Sequence, residues 1–415
     1  MISFLISAIK IIFLLGFLIF IHESGHFIVA KLCKVRVNEF AIGFGPTVWK
    51  KQGEETKYAL RLIPLGGFIS MEGEEQASDK EGSFSKASIP KRVAIVAAGA
   101  LVNIIFGLAV YFILIASSGV YVSNEVDSTI NGYVAEELGI CSGDKIVEID
   151  NKKIKNKKDI ENVLKNNNGK IINVKVKRND NLLEYNTKLT EVKSKSTGIY
   201  LGEGCKIVAV ENGSVAQKQG LKPNDIIIKI NNEEVNKEAS KVLELINNSG
   251  DTLTITVKRS NDTISVTLKP DYISSYYFGI NFKKADDTFI NRLENGYIQT
   301  KEFSISILDN LKQLFTGKVG VEQMTGPIGI SEAVSKTNNM FEFIYMLALI
   351  SLSLGVTNLL PIPALDGGKI VLLAIEAIRR KPLSSKLEIN IQLIGFSILI
   401  ALSLYVTYND ILRIF

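Results

Sequence analysis

The 415-residue chain holds two histidines, and they stand four residues apart in His22-Glu23-Ser24-Gly25-His26. On a helix, residues i and i+4 share a face, so both imidazoles can reach one metal ion. Glu23 sits beside the first imidazole and can take a proton from a metal-bound water. Catalytic zinc usually has three protein ligands and one open position. No HxxGxxH follows the motif and no other histidine exists, so a protein third ligand is expected to be a carboxylate. The best-placed carboxylate is Asp366, in Asn358-Leu-Leu-Pro361-Ile-Pro363-Ala-Leu365-Asp366-Gly367-Gly368. Two prolines there disrupt an apolar helix and free backbone groups that must be satisfied. The bland alternative for that segment is an Asp-Gly-Gly turn capping a helix at a membrane interface. HExxH also recurs by accident. Here, however, it lies at the end of an apolar run, where ionisable groups are costly and are functional candidates by default.

These residues need membrane helices to carry them. Residues 4–21 are apolar apart from Ser7 and Lys10, and the run leads straight into the histidine motif. No basic stretch precedes it and no A-x-A-like site follows, so a span over residues 3–32 is expected rather than a cleaved signal. Further spans are expected at 93–117, about 341–362 and about 389–407, each long enough to cross. Residues 31–92 hold eleven Lys/Arg and residues 369–386 hold five. Both loops fall on one side of a four-span chain, so that side is expected to be the cytoplasm. Both termini and residues 118–340 then lie outside.

Composition excludes other classes. The formal net charge is only +5, and no basic face or nucleic-acid module is evident, so nucleic acid is not an expected partner. Cys33, Cys141 and Cys205 are scattered and odd in number, which implies neither a disulfide framework nor a cysteine-based zinc site.

The polar middle contains an internal repeat. Gly139, Asp144, Ile146, Ile149, Gly169, Val176 and Arg178 return as Gly220, Asp225, Ile227, Ile230, Gly250, Val257 and Arg259, always 81 residues on. A fixed offset marks a duplicated unit. In each copy short alternating strands flank a polar helical stretch, an arrangement that resembles PDZ domains; a generic small α+β domain is the alternative. The domains expected are 1–117 with spans 1 and 2 and a loop over about 34–90, 118–193 and 194–272 for the two copies, 273–340 as linker, and 341–415 with spans 3 and 4. Residues 297–315 have helical apolar spacing and suit either an amphipathic helix at the membrane surface or a docking helix on the insert.

At this point the chain resembles the site-2 protease family of intramembrane zinc metalloproteases, and within it the RseP-like bacterial members with tandem PDZ domains. The resemblance rests on HESGH at 22–26, GFGP at 43–46, PLGGFISMEGE at 64–74, AAGALVN at 97–103, TGPIGI at 325–330 and NLLPIPALDGG at 358–368. It implies a polytopic α-helical membrane protein with four transmembrane helices, a membrane-associated β-loop and two inserted α+β PDZ-like domains. It implies Zn2+ held by His22, His26 and Asp366, with Glu23 as catalytic acid/base. It further implies substrate contacts at Asn358 and Pro361, and at Gly66, Gly67 and Phe68 in the β-loop, whose edge would extend the substrate as a strand. The activity implied is regulated intramembrane proteolysis in the bacterial inner membrane. The substrates would be single-span proteins of the anti-sigma-factor or signal-peptide-remnant type, cut after an upstream site-1-type protease has acted. The PDZ pair would exclude bulky substrates. The first copy has Cys141 and Ser142 where the second has Lys222 and Pro223, so groove residues do not carry over.

Two other readings compete. A PDZ-bearing membrane scaffold or sensor with a vestigial metal site is opposed by the intact HExxH. A serine protease, suggested by Asn248-Ser249-Gly250, lacks a histidine outside the membrane motif for a Ser-His pair.

Overall fold

The structure, a computed structural model, describes residues 2–414 apart from 75, 77, 166, 261 and 317–323. The described chain forms two compact units, residues 1–120 with 287–415, and residues 121–286.

The first unit begins with α1 (Ile2–Leu32), β1 (Val37–Gln52), β2 (Lys57–Met71) and α2 (Ile89–Ser118). Pro90 opens α2, where a missing N–H costs nothing. Residues 37–42 lie between two stretches of β2, pairing with 67–71 on one side and 57–60 on the other, while 47–52 pair with 57–61. Buried Val37 and Met71 join Ala30 and Ile95 in the core beneath this sheet.

The second unit continues with β3 (Val122–Thr129), α3 (Val134–Glu137), β4 (Lys145–Ile149), β5 (Lys152–Lys153), α4 (Lys157–Leu164), β6 (Ile171–Arg178), β7 (Asn181–Lys188), β8 (Thr190–Ser196) and β9 (Ile199–Leu201). Then come β10 (Ile207–Val210), α5 (Val215–Lys218), β11 (Ile226–Ile230), β12 (Glu233–Glu234), α6 (Ala239–Asn248), β13 (Leu253–Arg259), β14 (Asp262–Leu268), β15 (Asp271–Tyr277) and β16 (Ile280–Lys284). The sheets run β16-β3-β4-β6-β7 and β12-β11-β13-β14, with β9-β10 and β8-β15 as separate pairs. Two apolar cores result, one around Ile146, Val174 and Val176 and the other around Ile227, Ile255 and Val257.

The 81-residue repeat is visible in three dimensions. Arg178 Nε and Nη2 donate to Asp144 at 2.8 Å, and Arg259 Nε and Nη2 donate to Asp225 at 2.7 Å. Each carboxylate also accepts the N–H three residues before it, from Cys141 and Lys222. The copies are not consecutive beads. Residues 278–284, expected in the linker, return to the first copy: Phe278 enters its core and β16 pairs with β3. The Gly279 carbonyl accepts from Ile130 N–H and the Gly198 carbonyl from Glu211 N–H, both at 2.8 Å and both pairs again 81 apart. The second copy is therefore inserted within the first.

Asp144 is 1% exposed. Replacing it with alanine leaves Arg178 and the Cys141 N–H without their acceptor. Asp144→Ala is expected to destabilise the first copy by about 2 kcal/mol, read as faster hydrogen exchange over residues 171–178. The hydrogen-bonded Arg178 guanidinium holds the Asp144 carboxyl below the usual carboxylate range. The contribution is thus full above the unfolded value of about 3.9 and is lost as pH falls through the lower folded value. Unchanged exchange in the first copy would contradict this.

The first unit resumes with α7 (Phe289–Phe315), α8 (Pro327–Ser335), α9 (Met340–Asn358), α10 (Asp366–Arg379) and α11 (Ser385–Ile414). Among the described residues, four helices are long and apolar enough to cross a membrane: α1, α2, α9 and α11. Helix α7 packs along α2, with Tyr111 and Phe303 stacked at 4.2 Å, and the Asn295 amide donates to the Gly119 carbonyl. Small residues let α9 approach α2 closely. A Cβ at Gly355 would meet the Ala100 carbonyl at 2.6 Å, and one at Gly107 the Ala348 carbonyl at 2.8 Å. Charges within these apolar helices find partners at the ends of α8. Asp410 in α11, 0% exposed, accepts the N–H groups of Gly326 and Gly329 at its start. Lys10 in α1 donates to the Thr337 carbonyl just past its end. Both signs suit the helix dipole.

Candidate metal centre

The motif occupies the last turns of α1, packed against α2. Helix α1 runs through the motif because no proline interrupts it and Gly25 sits where the two helices nearly touch. A Cβ at Gly25 would stand 2.5 Å from the Ala98 carbonyl oxygen, and one at Gly99 would collide with His26 Nε2. Glycine at both positions is thus a packing requirement of the crossing.

Asp366 comes from the other end of the unit. Helix α9 ends at Asn358, short of the expected 362, because Pro361 and Pro363 cannot continue it. The turn closes through Ile362 N–H to the Leu360 carbonyl and Leu365 N–H to the Ile362 carbonyl, with Ala364 left-handed at φ 75°. Helix α10 then starts at Asp366. Side chains at Gly367 or Gly368 would strike the carbonyls of Leu359, Leu360 and Ile362, so the glycine pair lets α10 fold back on the end of α9. Two ion pairs fix α10. Arg92 of α2 donates twice to Glu376, at 2.6 and 3.0 Å, and Lys369 pairs with Glu74 at 2.7 Å. Sequence alone counts Arg92 and Lys369 among the charges that set orientation and pairs none of these four residues. A lone Arg or Glu at the end of an apolar run carries no signal of its partner.

The two histidines and Asp366 meet. His22 Nε2 and His26 Nε2 are 3.2 Å apart, and Asp366 Oδ2 lies 3.4 and 3.7 Å from them. Asp366 Oδ2 is buried without a hydrogen-bond partner, and His26 Nδ1 donates to the Ile95 carbonyl at 2.8 Å. With its proton on Nδ1, His26 presents a lone pair at Nε2. Donor atoms at bonds of about 2.0–2.1 Å around a tetrahedral ion stand about 3.3 Å apart, close to the separations found. The donor set therefore fits a zinc ion, and a bound cation would supply the partner that Asp366 Oδ2 lacks.

The remaining residues of interest divide. Glu23 is half-buried and within electrostatic range of His26 and Asp366. A Cβ at Gly67 would lie 3.2 Å from Glu23 Cγ, which puts the 67–71 stretch beside this carboxylate. Among the described strands that stretch is paired on one side only, with 37–42. Gly66 has φ 122°, with the Phe44 ring packed against it. The Arg61 guanidinium covers the Phe68 ring at 4.8 Å. Asn358 is the last residue of α9, and Pro361 is exposed in the turn after it.

Because a side chain at Gly99 collides with His26 Nε2, Gly99→Ala is expected to weaken metal binding by about 10-fold or more, measured by chelator competition. Wild-type affinity in this variant would mean that the helices can part without moving His26.

Comparison with known proteins identifies the family. The model for "Peptidase family M50" matches residues 10–402. The chain is 30% identical to Protease RseP of Yersinia pestis over 100% of both chains. It is 29% identical to the regulator of sigma E protease of Haemophilus influenzae, over 99% of this chain and all of that one. It is also 30% identical to the regulator of sigma-W protease RasP of Bacillus subtilis, again over 99% and 100%. A match across nearly the whole length carries the chain into the group, and its HExxH fits what the group is: the chain belongs to Peptidase family M50, the site-2 protease family of zinc-dependent metalloproteases.

Proposed function

We propose that the chain is an intramembrane endopeptidase in which His22, His26 and Asp366 hold zinc and Glu23 moves the proton. The observation that carries this reading is the meeting of three metal-binding atoms within 4.8 Å of one another, on helices that begin more than 300 residues apart. Zinc, when bound, supplies Lewis acidity toward a water and the scissile carbonyl. Glu23 accepts a proton at a carboxylate oxygen and returns it to the departing amine nitrogen. His22 and His26 would hold the ion through neutral imidazole nitrogens, and the Asp366 carboxylate would offset part of its charge.

A helical substrate hides its peptide bonds in its own hydrogen bonds. The one-sided 67–71 stretch beside Glu23 offers an edge on which an unwound segment can add as a strand. Gly67 and Phe68 belong to that edge and Gly66 immediately precedes it, and Asn358 and Pro361 flank the Asp366 turn as further substrate contacts. The lysine and arginine distribution supports a cytoplasmic position for the β1–β2 loop and an external one for residues 121–286. The duplicated α+β copies in that insert are read as PDZ-like domains that exclude bulky substrates. Relatives named regulators of sigma E and sigma W support single-span anti-sigma-factor substrates, trimmed first by another protease.

The test uses the purified full chain, zinc-loaded in detergent, with a single-span substrate carrying either a short or a bulky folded external part. Cleavage of the short form, lost on chelation and restored by zinc, is expected, with the bulky form resistant. Cleavage of soluble casein as fast as the membrane substrate, or cleavage that survives chelation, would contradict the reading.

A further inference from the structure

Helix α2 carries one amide in its apolar stretch, Asn103, and its side chain is 0% exposed. Its Nδ2 lies 3.3 Å from His22 Nδ1, while its Oδ1 is buried with no hydrogen-bond partner. The Asn103 backbone carbonyl accepts from Ser351 Oγ at 2.9 Å, which ties this turn of α2 to α9. The residue is thus held from behind and aimed at the first histidine.

A half-turn of the amide exchanges Oδ1 and Nδ2 without changing its shape. With Nδ2 toward the ring, Asn103 donates and His22 Nδ1 must accept, which puts the ring proton on Nε2. That proton points at Asp366 Oδ2 and opposes metal binding. With Oδ1 toward the ring, Nδ1 donates and Nε2 is left with its lone pair. Each orientation leaves one amide atom without a partner, so hydrogen-bond satisfaction alone does not choose. The ring's other neighbours do: the Gly99 carbonyl faces the ring as a second acceptor, and Nε2 faces the Asp366 carboxylate oxygen and His26 Nε2, the two other metal-binding atoms. His26 already has this arrangement, with Nδ1 donating to a carbonyl.

We infer that Asn103 is the positioning residue of His22: its amide oxygen accepts the Nδ1 proton and so turns Nε2, unprotonated, toward the metal. The inference rests on the metal-centre reading above. Metal-ligating histidines generally give their second N–H to such a partner, and losing it costs about 10- to 100-fold in metal affinity.

The experiment measures zinc affinity by chelator competition on the full chain in detergent. Asn103→Leu keeps the number and branching of side-chain heavy atoms and suits an apolar helix, but removes the acceptor. Its zinc affinity is expected to fall about 10- to 100-fold. Asn103→Asp keeps an acceptor and is expected to retain at least the wild-type affinity. A packing role predicts the reverse order, with Leu tolerated and a buried carboxylate not. A second measurement needs no variant. Selective nitrogen-15 labelling of histidine gives two imidazoles only. In the zinc-loaded wild type both are expected to carry their proton on Nδ1. A His22 proton on Nε2, or wild-type affinity in Asn103→Leu, overturns this inference alone. Failure of the wild type to bind zinc overturns the metal-centre reading with it.

Discussion

Glu23→Gln is expected to lower cleavage of a single-span substrate by about 10³-fold while the chain still binds one zinc ion. The substitution keeps size and polarity and removes only the ability to take a proton. Glu23 is not among the residues whose donor atoms converge; it lies beside Gly67 of the strand edge, within electrostatic range of His26 and Asp366. All three donor atoms therefore remain, and zinc is expected to stay bound, its binding weakened only by the loss of a nearby negative charge. The measurement is a rate with and without the mutation, beside a metal titration of both proteins. A scaffold with a vestigial site predicts equal rates in the two. Loss of zinc together with rate would assign Glu23 a structural role in the centre.

Asp366→Ala has the second large effect. It removes the third donor atom and is expected to lower zinc affinity by more than about 100-fold, beyond the loss of an orienting partner. Helix α10 should remain in place, since Arg92–Glu376 and Lys369–Glu74 do not involve Asp366. The stability consequence is less obvious. Without metal, Asp366 Oδ2 is a buried carboxylate oxygen with no hydrogen-bond partner, which is costly. The metal-free variant is therefore expected to melt no lower than the metal-free wild type. At zinc a thousandfold above the wild-type dissociation constant, the wild type should gain about 4 kcal/mol and the variant no more than about 1.4 kcal/mol. Equal stabilisation of both by zinc would remove Asp366 from the centre.

Much of this was legible from residue types. The pairing of His22 with His26 needs only the helical period, and four apolar runs of spanning length announce α1, α2, α9 and α11. The 81-residue offset alone marks the duplicated insert. What was not legible depends on contacts between distant segments. The first copy takes β16 from beyond the second, and the sequence sign of that is a brief match, Gly198-Ile199 with Gly279-Ile280. Asp-Gly-Gly reads locally as a turn. It opens α10 because the two glycines let the helix fold against the carbonyls that end α9. The helical reading of 297–315 starts too late; α7 begins at Phe289, where Thr288 accepts the Asn291 N–H as its cap. Asn103 did leave a sign, a lone amide in an apolar helix, but its partner His22 lies 81 residues away.

The most direct test of the metal centre is X-ray absorption at the zinc edge of the loaded chain. Two imidazole nitrogens at about 2.0–2.1 Å and carboxylate oxygen at about 2.0–2.2 Å are expected, with the oxygen contribution reduced in Asp366→Ala and one imidazole lost in His22→Ala. Sulfur at about 2.3 Å, or a spectrum unchanged by both substitutions, would contradict the account.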